Sequence, residues 1–170
     1  MIQSGPQIRT RAAAATLALS VFAIADVALA DCTPEREAHN KTLIQDFVNG
    51  GQNGRDVEAV RQYLSERFVD HSGAQDPTRD GSIVFHEALF SAFPDFQVVI
   101  HQQVAECDIV VTHKTFSGTH AGNFFGFHPT NQKVEFDVID ILRIEDDQVV
   151  DHWVVNNMVG RLLTQKASEK

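Results

Sequence analysis

Positive charge is in short supply: 14 lysines and arginines stand against 23 aspartates and glutamates in 170 residues, for a net charge of −9 with histidine neutral. Phosphate backbones and anionic bilayers demand basic patches, so nucleic acid and anionic membrane surfaces are excluded as partners. Cysteine is scarce as well. Cys32 and Cys107 lie far apart and rule out a multi-thiolate metal centre. Eight histidines do not fill that gap, because no pair has the i, i+4 spacing of a helical zinc motif, and no metal is expected. A Gly-x-Ser-x-Gly elbow, a phosphate loop and a dinucleotide fingerprint are all missing. Ser72 and Ser117 lie near His71 and His120 but assemble no triad. Beyond residue 30 no apolar run approaches the ~18 residues of a membrane-spanning helix. There is no internal repeat and no low-complexity linker, and the length is that of one domain.

What is present begins with an export signal. Arg9 and Arg11 precede a run from Ala12 to Ala25 built almost wholly of Ala, Leu, Val, Ile and Phe, and Ala28-Leu29-Ala30 offers small residues for a signal peptidase. Cleavage is expected after Ala30, leaving residues 31–170 as one periplasmic or secreted domain with no membrane anchor after processing. Asp31 before Cys32 argues against a lipoprotein, since lipidation needs a small neutral residue there. In an oxidising compartment Cys32 and Cys107 either pair, tying the amino-terminal end to a turn between strands, or remain two unrelated thiols.

Thr33-Pro34 reads as a helix cap followed by proline at the first helical position, with Glu35 and Glu37 in the first turn. Leu43, Ile44, Phe47 and Val48 form its buried stripe, and Gly50-Gly51 is expected to end it. A second helix is expected from Asp56 to Leu64, then a short strand to His71, then a loop. Asp80 is read as the cap of a third helix over Gly81 to Ala92, with Ile83, Leu89, Phe90 and Phe93 as packing residues. Strands follow over Phe96 to Ala105 and Ile109 to Gly118, and after the aromatic segment GTHAGNFFGFHPTNQ comes a long hairpin from Lys133 to Asn157. A short helix over Met158 to Leu163 closes the domain, with Ala167 to Lys170 as a tail. Helices first and an antiparallel meander afterwards describe an α+β domain.

The hairpin carries the main functional lead. Val134, Phe136, Val138, Leu142 and Ile144 alternate with Glu135, Asp137, Ile139, Ile141 and Arg143, and Asp140 falls in the apolar set. With Asp146 and Asp147 as the loop residues, counting back places Asp140 opposite Trp153, so that Asp151, Trp153, Val155 and Asn157 share its face and His152 points the other way. A carboxylate beside an indole on an apolar face should resist ionising, because desolvation disfavours the charged form; that makes Asp140 the candidate general acid or base.

The succession FVDHS from Phe68, FPDF from Phe93, GTHAGNFFGFHPTNQKVEF from Gly118 and IDILRIEDDQVVDHW from Ile139 resembles the SnoaL-like polyketide cyclases, also called ester cyclases. They belong to the nuclear transport factor two-like superfamily, and the similarity covers about Lys41 to Leu163. The resemblance implies a cone-shaped α+β barrel: a curved antiparallel sheet covered by N-terminal helices, enclosing a cavity and often pairing through its sheet as a homodimer. It also implies a cofactor-free intramolecular aldol condensation, in which an acidic carbon of a polyketide ester is deprotonated and the enolate attacks a carbonyl of the same molecule. The partner is then a hydrophobic small molecule. Ketosteroid isomerase-like, scytalone dehydratase-like and limonene epoxide hydrolase-like enzymes share the superfamily with members that only bind, so fold alone does not fix the reaction.

Two positions depart from the family pattern. Asp146-Asp147 replaces the usual Asp-Gly turn, and Asn157 stands where members carry an aspartate; in the polyketide cyclases an aspartate of this cavity is the acid/base. Asparagine cannot titrate, so either Asp140 takes over or the chemistry is lost. The expected catalytic residues are therefore Asp140, for proton transfer, and His71, at a loop mouth, to orient the substrate oxygen. Asn157 would donate a hydrogen bond, and Trp153 and Phe124 would line the apolar wall. His120 and His128 bracket an aromatic lid of Phe124, Phe125 and Phe127. His39, His86, His101 and His113 are read as surface or helix–sheet contacts. The rival readings are a non-catalytic carrier or sensor of a hydrophobic molecule, and a dimerisation module.

Overall fold

Thr33 caps α1 (Pro34–Asp46), its hydroxyl accepting from the Arg36 N–H at 3.2 Å, as its sequence suggests. In this computed structural model, which describes residues 32–73 and 76–168, the Gly50-Gly51 pair does not end the helical path. A π-helical turn over Phe47–Asn53 carries it on, burying Phe47, Val48, Gly51 and Gln52. Its reward is tertiary. The Asn53 amide donates to the Val98 carbonyl at 3.1 Å and accepts from the Val98 N–H at 2.7 Å, which ties the turn to the sheet. Gly51 is needed there because a Cβ would lie 2.9 Å from Val60 Cγ2. The expected export signal, Met1 to Ala30, lies outside the described residues.

Asp56 caps α2 (Val57–Tyr63), which runs directly into β1 (Leu64–Asp70). The cap of α3 (Arg79–Ala92) is Thr78 rather than Asp80: the Thr78 hydroxyl accepts from the Gly81 N–H at 3.3 Å, while Asp80 pairs with Arg61 at 2.7 Å. β2 (Gln97–Glu106), β3 (Ile109–Thr119), β4 (Lys133–Glu145) and β5 (Gln148–Asn156) form the expected meander. The last helix, α4 (Met158–Ser168), extends past Leu163 into residues expected as tail. The five strands lie in the order β1-β5-β4-β3-β2, all neighbours antiparallel except β1, which runs parallel to β5. The fold is the expected α+β class with a curved sheet. None of the described helices is long and apolar enough to cross a membrane.

The alternation read in β4 holds: Val134, Phe136, Val138, Asp140, Leu142 and Ile144 are buried, whereas Glu135, Asp137, Ile139 and Ile141 are exposed. β3 contributes Val110, Thr112, Lys114 and Phe116 to the same interior face, on which Ile44, Phe47, Val60, Ile83, Leu89 and Leu162 of the helices pack. The other face is left apolar and open at Val99, Ile139, Ile141, Trp153 and Val155.

The register beyond the hairpin turn differs from the expected one by a single residue. Glu145 pairs with Gln148 and Ile144 with Val149, but Arg143 then pairs with Asp151, leaving Val150 as a bulge. Val149 and Val150 are both buried. Every later residue of β5 therefore changes face: Val154, not Trp153, lies opposite Asp140, and His152 lies opposite Leu142 on the interior side. Trp153, Asp151, Val155 and Asn157 accordingly do not share the face of Asp140. At the turn Asp146 and Asp147 both take positive φ, 49° and 58°, the left-handed pair that a two-residue hairpin requires.

Cys32 and Cys107 form a disulfide with Cα atoms 4.5 Å apart, joining the start of α1 to the β2–β3 turn across 75 residues of chain. Neighbouring bonds hold the same corner: the Asn40 amide donates to the Cys107 carbonyl at 2.9 Å, and the Cys107 N–H donates to Glu37 at 3.2 Å.

Candidate active site

The sheet interior contains a row of polar side chains in an apolar core. Asp140 on β4 is 5% exposed, and its Oδ2 lies 2.5 Å from the ammonium of Lys114 on β3, itself 1% exposed. Lys114 also donates to the Gln52 amide oxygen at 3.2 Å, and Gln52 in turn lies 3.3 Å from Nε2 of His86 on α3. His86 Nδ1 donates to the Ser82 carbonyl at 2.8 Å, which leaves Nε2 to accept from the Gln52 amide. On the other side, His152 Nε2 lies 3.3 Å from Asp140 Oδ1, and His152 Nδ1 lies 3.5 Å from Asp70 at the end of β1. The backbone N–H of Ser72 donates to the second oxygen of Asp70 at 2.8 Å. Four strands, the π-helical turn and α3 thus contribute to one chain: Asp70, His152, Asp140, Lys114, Gln52, His86. Exposure of side-chain atoms falls along it from 21% at His152 to 7% at Asp140 and 2% at Lys114, so solvent reaches the row from the His152 end.

Burial alone would push the Asp140 carboxyl up, as its sequence setting suggests. The Lys114 ammonium and the His152 imidazole outweigh it and hold Asp140 well below the usual carboxylate range. The expectation of a carboxyl reluctant to ionise is thereby reversed, because its buried neighbours are the cations Lys114 and His152 and the Trp153 indole lies on the other face of the sheet. Burial likewise lowers His152, but the flanking carboxylates Asp140 and Asp70 raise it to about 9. Asp70, despite partial burial, is lowered to about 2 through His152 and the Ser72 N–H. His86, with no carboxylate against it, is pushed down to about 4 by burial. Near neutral pH Asp70 and Asp140 are carboxylates, His152 between them is an imidazolium and His86 is neutral.

Of the other residues singled out in the sequence, His71 stands exposed outside this row, its Nε2 2.6 Å from Asp151 Oδ1 and its ring stacked on Trp153 with centroids 4.5 Å apart. Trp153 lies on the open sheet face, 37% exposed. Asn157 is exposed there too: its side-chain oxygen accepts from the Asp137 N–H at 2.9 Å. Phe124 is buried and packs edge-on against Phe93 and Phe85, while Phe125 is exposed and stacks on Phe85. His120 is buried, stacked on Phe93 at 5.2 Å, and its backbone carbonyl receives the N–H groups of Thr130 and Asn131. It anchors the aromatic loop instead of fronting it. Gly122 lets that loop lie on the end of α3, since a Cβ would come 2.9 Å from Ala92 Cα. Among the described residues no group of three or more His, Cys, Asp or Glu could hold a metal ion.

Sequence reading missed Lys114, Gln52 and His86, and placed His152 on the wrong face. A signal for Lys114 exists: it shares the parity of Val110 and Phe116, so any strand here that buries those residues also buries the lysine.

The curved five-stranded sheet with its helical cover is a fold shared with known proteins. The family model for SnoaL-like polyketide cyclases matches residues 42–165. The chain belongs to that family. Among solved structures, this SnoaL-like protein is similar to AclR, a proposed hydroxylase from Streptomyces galilaeus, at 31% identity and a TM-score of 0.70, covering 76% of this chain and 86% of that one. It is also similar to IdmH, a proposed polyketide cyclase from Streptomyces antibioticus, at 26% identity and a TM-score of 0.65 over 75% and 98% of the two chains. An epoxide hydrolase of the LEH-like type from M. tuberculosis, at 16% identity and a TM-score of 0.59 over 78% and 91%, shares the fold alone. No curated protein shows significant similarity to the chain.

Proposed function

We propose that this SnoaL-like protein is an exported, cofactor-independent enzyme that performs proton transfer on a hydrophobic, polyketide-like carbonyl compound, as a cyclase or a related isomerase or lyase. The observation that carries the reading is the buried Asp140–His152 pair, with its carboxylate oxygen 3.3 Å from the imidazole and its solvent-reachable end at His152. The carboxylate is present to accept a carbon-bound proton, and the imidazolium, protonated up to about pH 9, is present to return one to a developing alkoxide. The apolar side chains that share this face, Phe116, Phe136, Val138 and Leu142, suit a hydrophobic guest and keep bulk water from the charges. His71 and Trp153 form a rim contact on the open sheet face instead of the proton-transfer pair.

Asp140→Asn is expected to lower turnover of enolisable hydrophobic keto esters by about 10²- to 10⁴-fold, scored per folded molecule. Undiminished activity would falsify the assignment. The carrier reading draws its support from the completeness of the ion pairing, since Asp140 has both oxygens engaged; uptake of apolar carbonyl compounds without conversion selects it. Export is favoured by the Cys32–Cys107 disulfide, which an oxidising compartment maintains. The open apolar face around Ile139, Ile141, Trp153 and Val155 suits a homodimer, and native mass spectrometry is expected to show twice the mass of one chain.

A further inference from the structure

Among the described residues, Lys114 is the one buried charged side chain that the acid–base reading leaves without a task. An isolated ammonium in such surroundings is costly, and pairing with Asp140 offsets much of that cost; an apolar residue of similar volume would avoid it altogether. Its surroundings are specific. Of the three N–H bonds of the ammonium, one faces Asp140 Oδ2 at 2.5 Å and one faces the Gln52 oxygen at 3.2 Å. The Phe116 ring centroid lies 4.8 Å from Nζ, and among the described residues no oxygen beyond those two accepts from it. His86 beyond Gln52 is neutral and His152 beyond Asp140 is cationic, and among the described residues the carboxylate that pairs with Lys114 is the one assigned to proton abstraction.

Resting on the reading of Asp140 as the proton acceptor, we propose that Lys114 is the cation that receives the oxygen charge of an enolate, and that the site therefore binds planar oxyanions such as phenolates. In the step concerned a C–H bond of the substrate breaks and its proton goes to a carboxylate oxygen of Asp140. The electron pair delocalises onto the carbonyl oxygen. Negative charge thus leaves Asp140 and appears on the ligand, and Lys114, having lost its ionic partner, turns its N–H donors to the new oxyanion while Gln52 keeps the ammonium in place. The exchange reinforces itself. Once Lys114 turns away, Asp140 loses the neighbour that keeps it acidic but stays buried, so its basicity rises as the enolate acquires its counter-ion.

Binding of 4-nitrophenol, whose ionised form is read from its absorption band, tests this without any turnover. Asp140→Asn mimics the protonated carboxyl, and the full-length variant is expected to bind the phenolate about tenfold or more tighter than the wild type at pH 6, with the bound ligand ionised. Adding Lys114→Met should abolish both the gain and the ionisation. A phenol that stays neutral in Asp140→Asn, or a double variant that retains the gain, overturns the proposal. In case Asp140→Asn is too unstable to purify, the wild type supplies a second readout: the side-chain ammonium resonance of Lys114 should shift when 4-nitrophenol binds, and an unmoved resonance counts against the assignment. The two readings fail separately. Retained turnover in Asp140→Asn removes the acid–base reading, whereas neutral binding of the phenol removes only the role of Lys114.

Discussion

At the scale of the residue, the interior row fixes how stability responds to pH, and its two histidines act with opposite sign. His152 is raised to about 9 in the folded protein by Asp140 and Asp70, so its contribution is complete below the unfolded value of about 6.5 and is lost as pH rises through 9. His86 is lowered to about 4 by burial, so its contribution is complete above about 6.5 and is lost as pH falls towards 4. Asp70 and Asp140 remain ionised throughout that range, being held below the usual carboxylate values. Stability against urea should therefore peak near neutrality. The alkaline loss attributable to His152 is about 3 kcal/mol at most. In His152→Gln the decline between pH 7 and 9.5 should largely disappear, since the titrating group is gone; a decline of unchanged size would show that another group causes it. Lys114 makes the same point about legibility. A lone lysine in an apolar strand reads as a solvated charge, and only the strand pairing reveals that its end lies against the carboxylate of Asp140.

At the scale of the element, one inserted residue decides which side chains meet. The period-two pattern of β4 is legible from the apolar set Val134, Phe136, Val138, Leu142 and Ile144 in spite of Ile139, Asp140 and Ile141 between them, and the fold class follows from the order of helical and strand segments. The face of β5 was not legible. In Gln148-Val149-Val150-Asp151-His152-Trp153 two adjacent valines are both buried, and either could be the one that keeps register. The bulge at Val150 resolves this by sending His152 inward and Trp153 outward, where Asp151 meets Arg143 across the strands and His71 above them. The continuation of α1 through Gly50-Gly51 escaped the sequence for a related reason: glycine signals a helix end only where tertiary contacts do not require a small residue. Deleting Val150 is the direct test of the bulge. Because Val150 is the extra residue, its loss leaves Arg143 opposite Asp151, Leu142 opposite His152 and Asp140 opposite Val154 in a now regular ladder, so His152 stays inward and Trp153 outward. The expected result is a folded variant that keeps the candidate chemistry and loses roughly 1.5–3 kcal/mol in unfolding free energy with the buried valine. A folded deletion variant in which the Trp153 indole moves into the interior, read from its fluorescence, would mean that the bulge does not set the face.

At the scale of the whole molecule, the disulfide governs the site from a distance. Cys32–Cys107 closes a loop of 75 residues that contains α1, the π-helical turn, α2, β1, α3 and β2, which is most of the structure that covers the sheet. Closing so long a loop restricts the unfolded chain, and its removal should lower stability by roughly 2–4 kcal/mol. The bonds from Asn40 and Glu37 to Cys107 do not depend on the sulfur atoms, so α1 should stay docked and the sheet intact after reduction. What changes is the precision with which α1 and its π-helical continuation sit, and Gln52, the partner of Lys114, is carried by that continuation. Cys107→Ser, or the wild type under reductant, is therefore expected to unfold at lower denaturant concentration and also to bind phenols more weakly, with unchanged strand content by circular dichroism. Protein recovered from an exported fraction should begin at Asp31 and weigh two hydrogens less before reduction than after. A midpoint that does not move under reductant would reduce the bond to an ornament of the amino-terminal end. A midpoint that falls without any change in ligand binding would separate fold from site, and would place the rigidity of the Lys114–Gln52 contact in the π-helical turn and its Asn53 anchor on Val98 instead of in the cross-link.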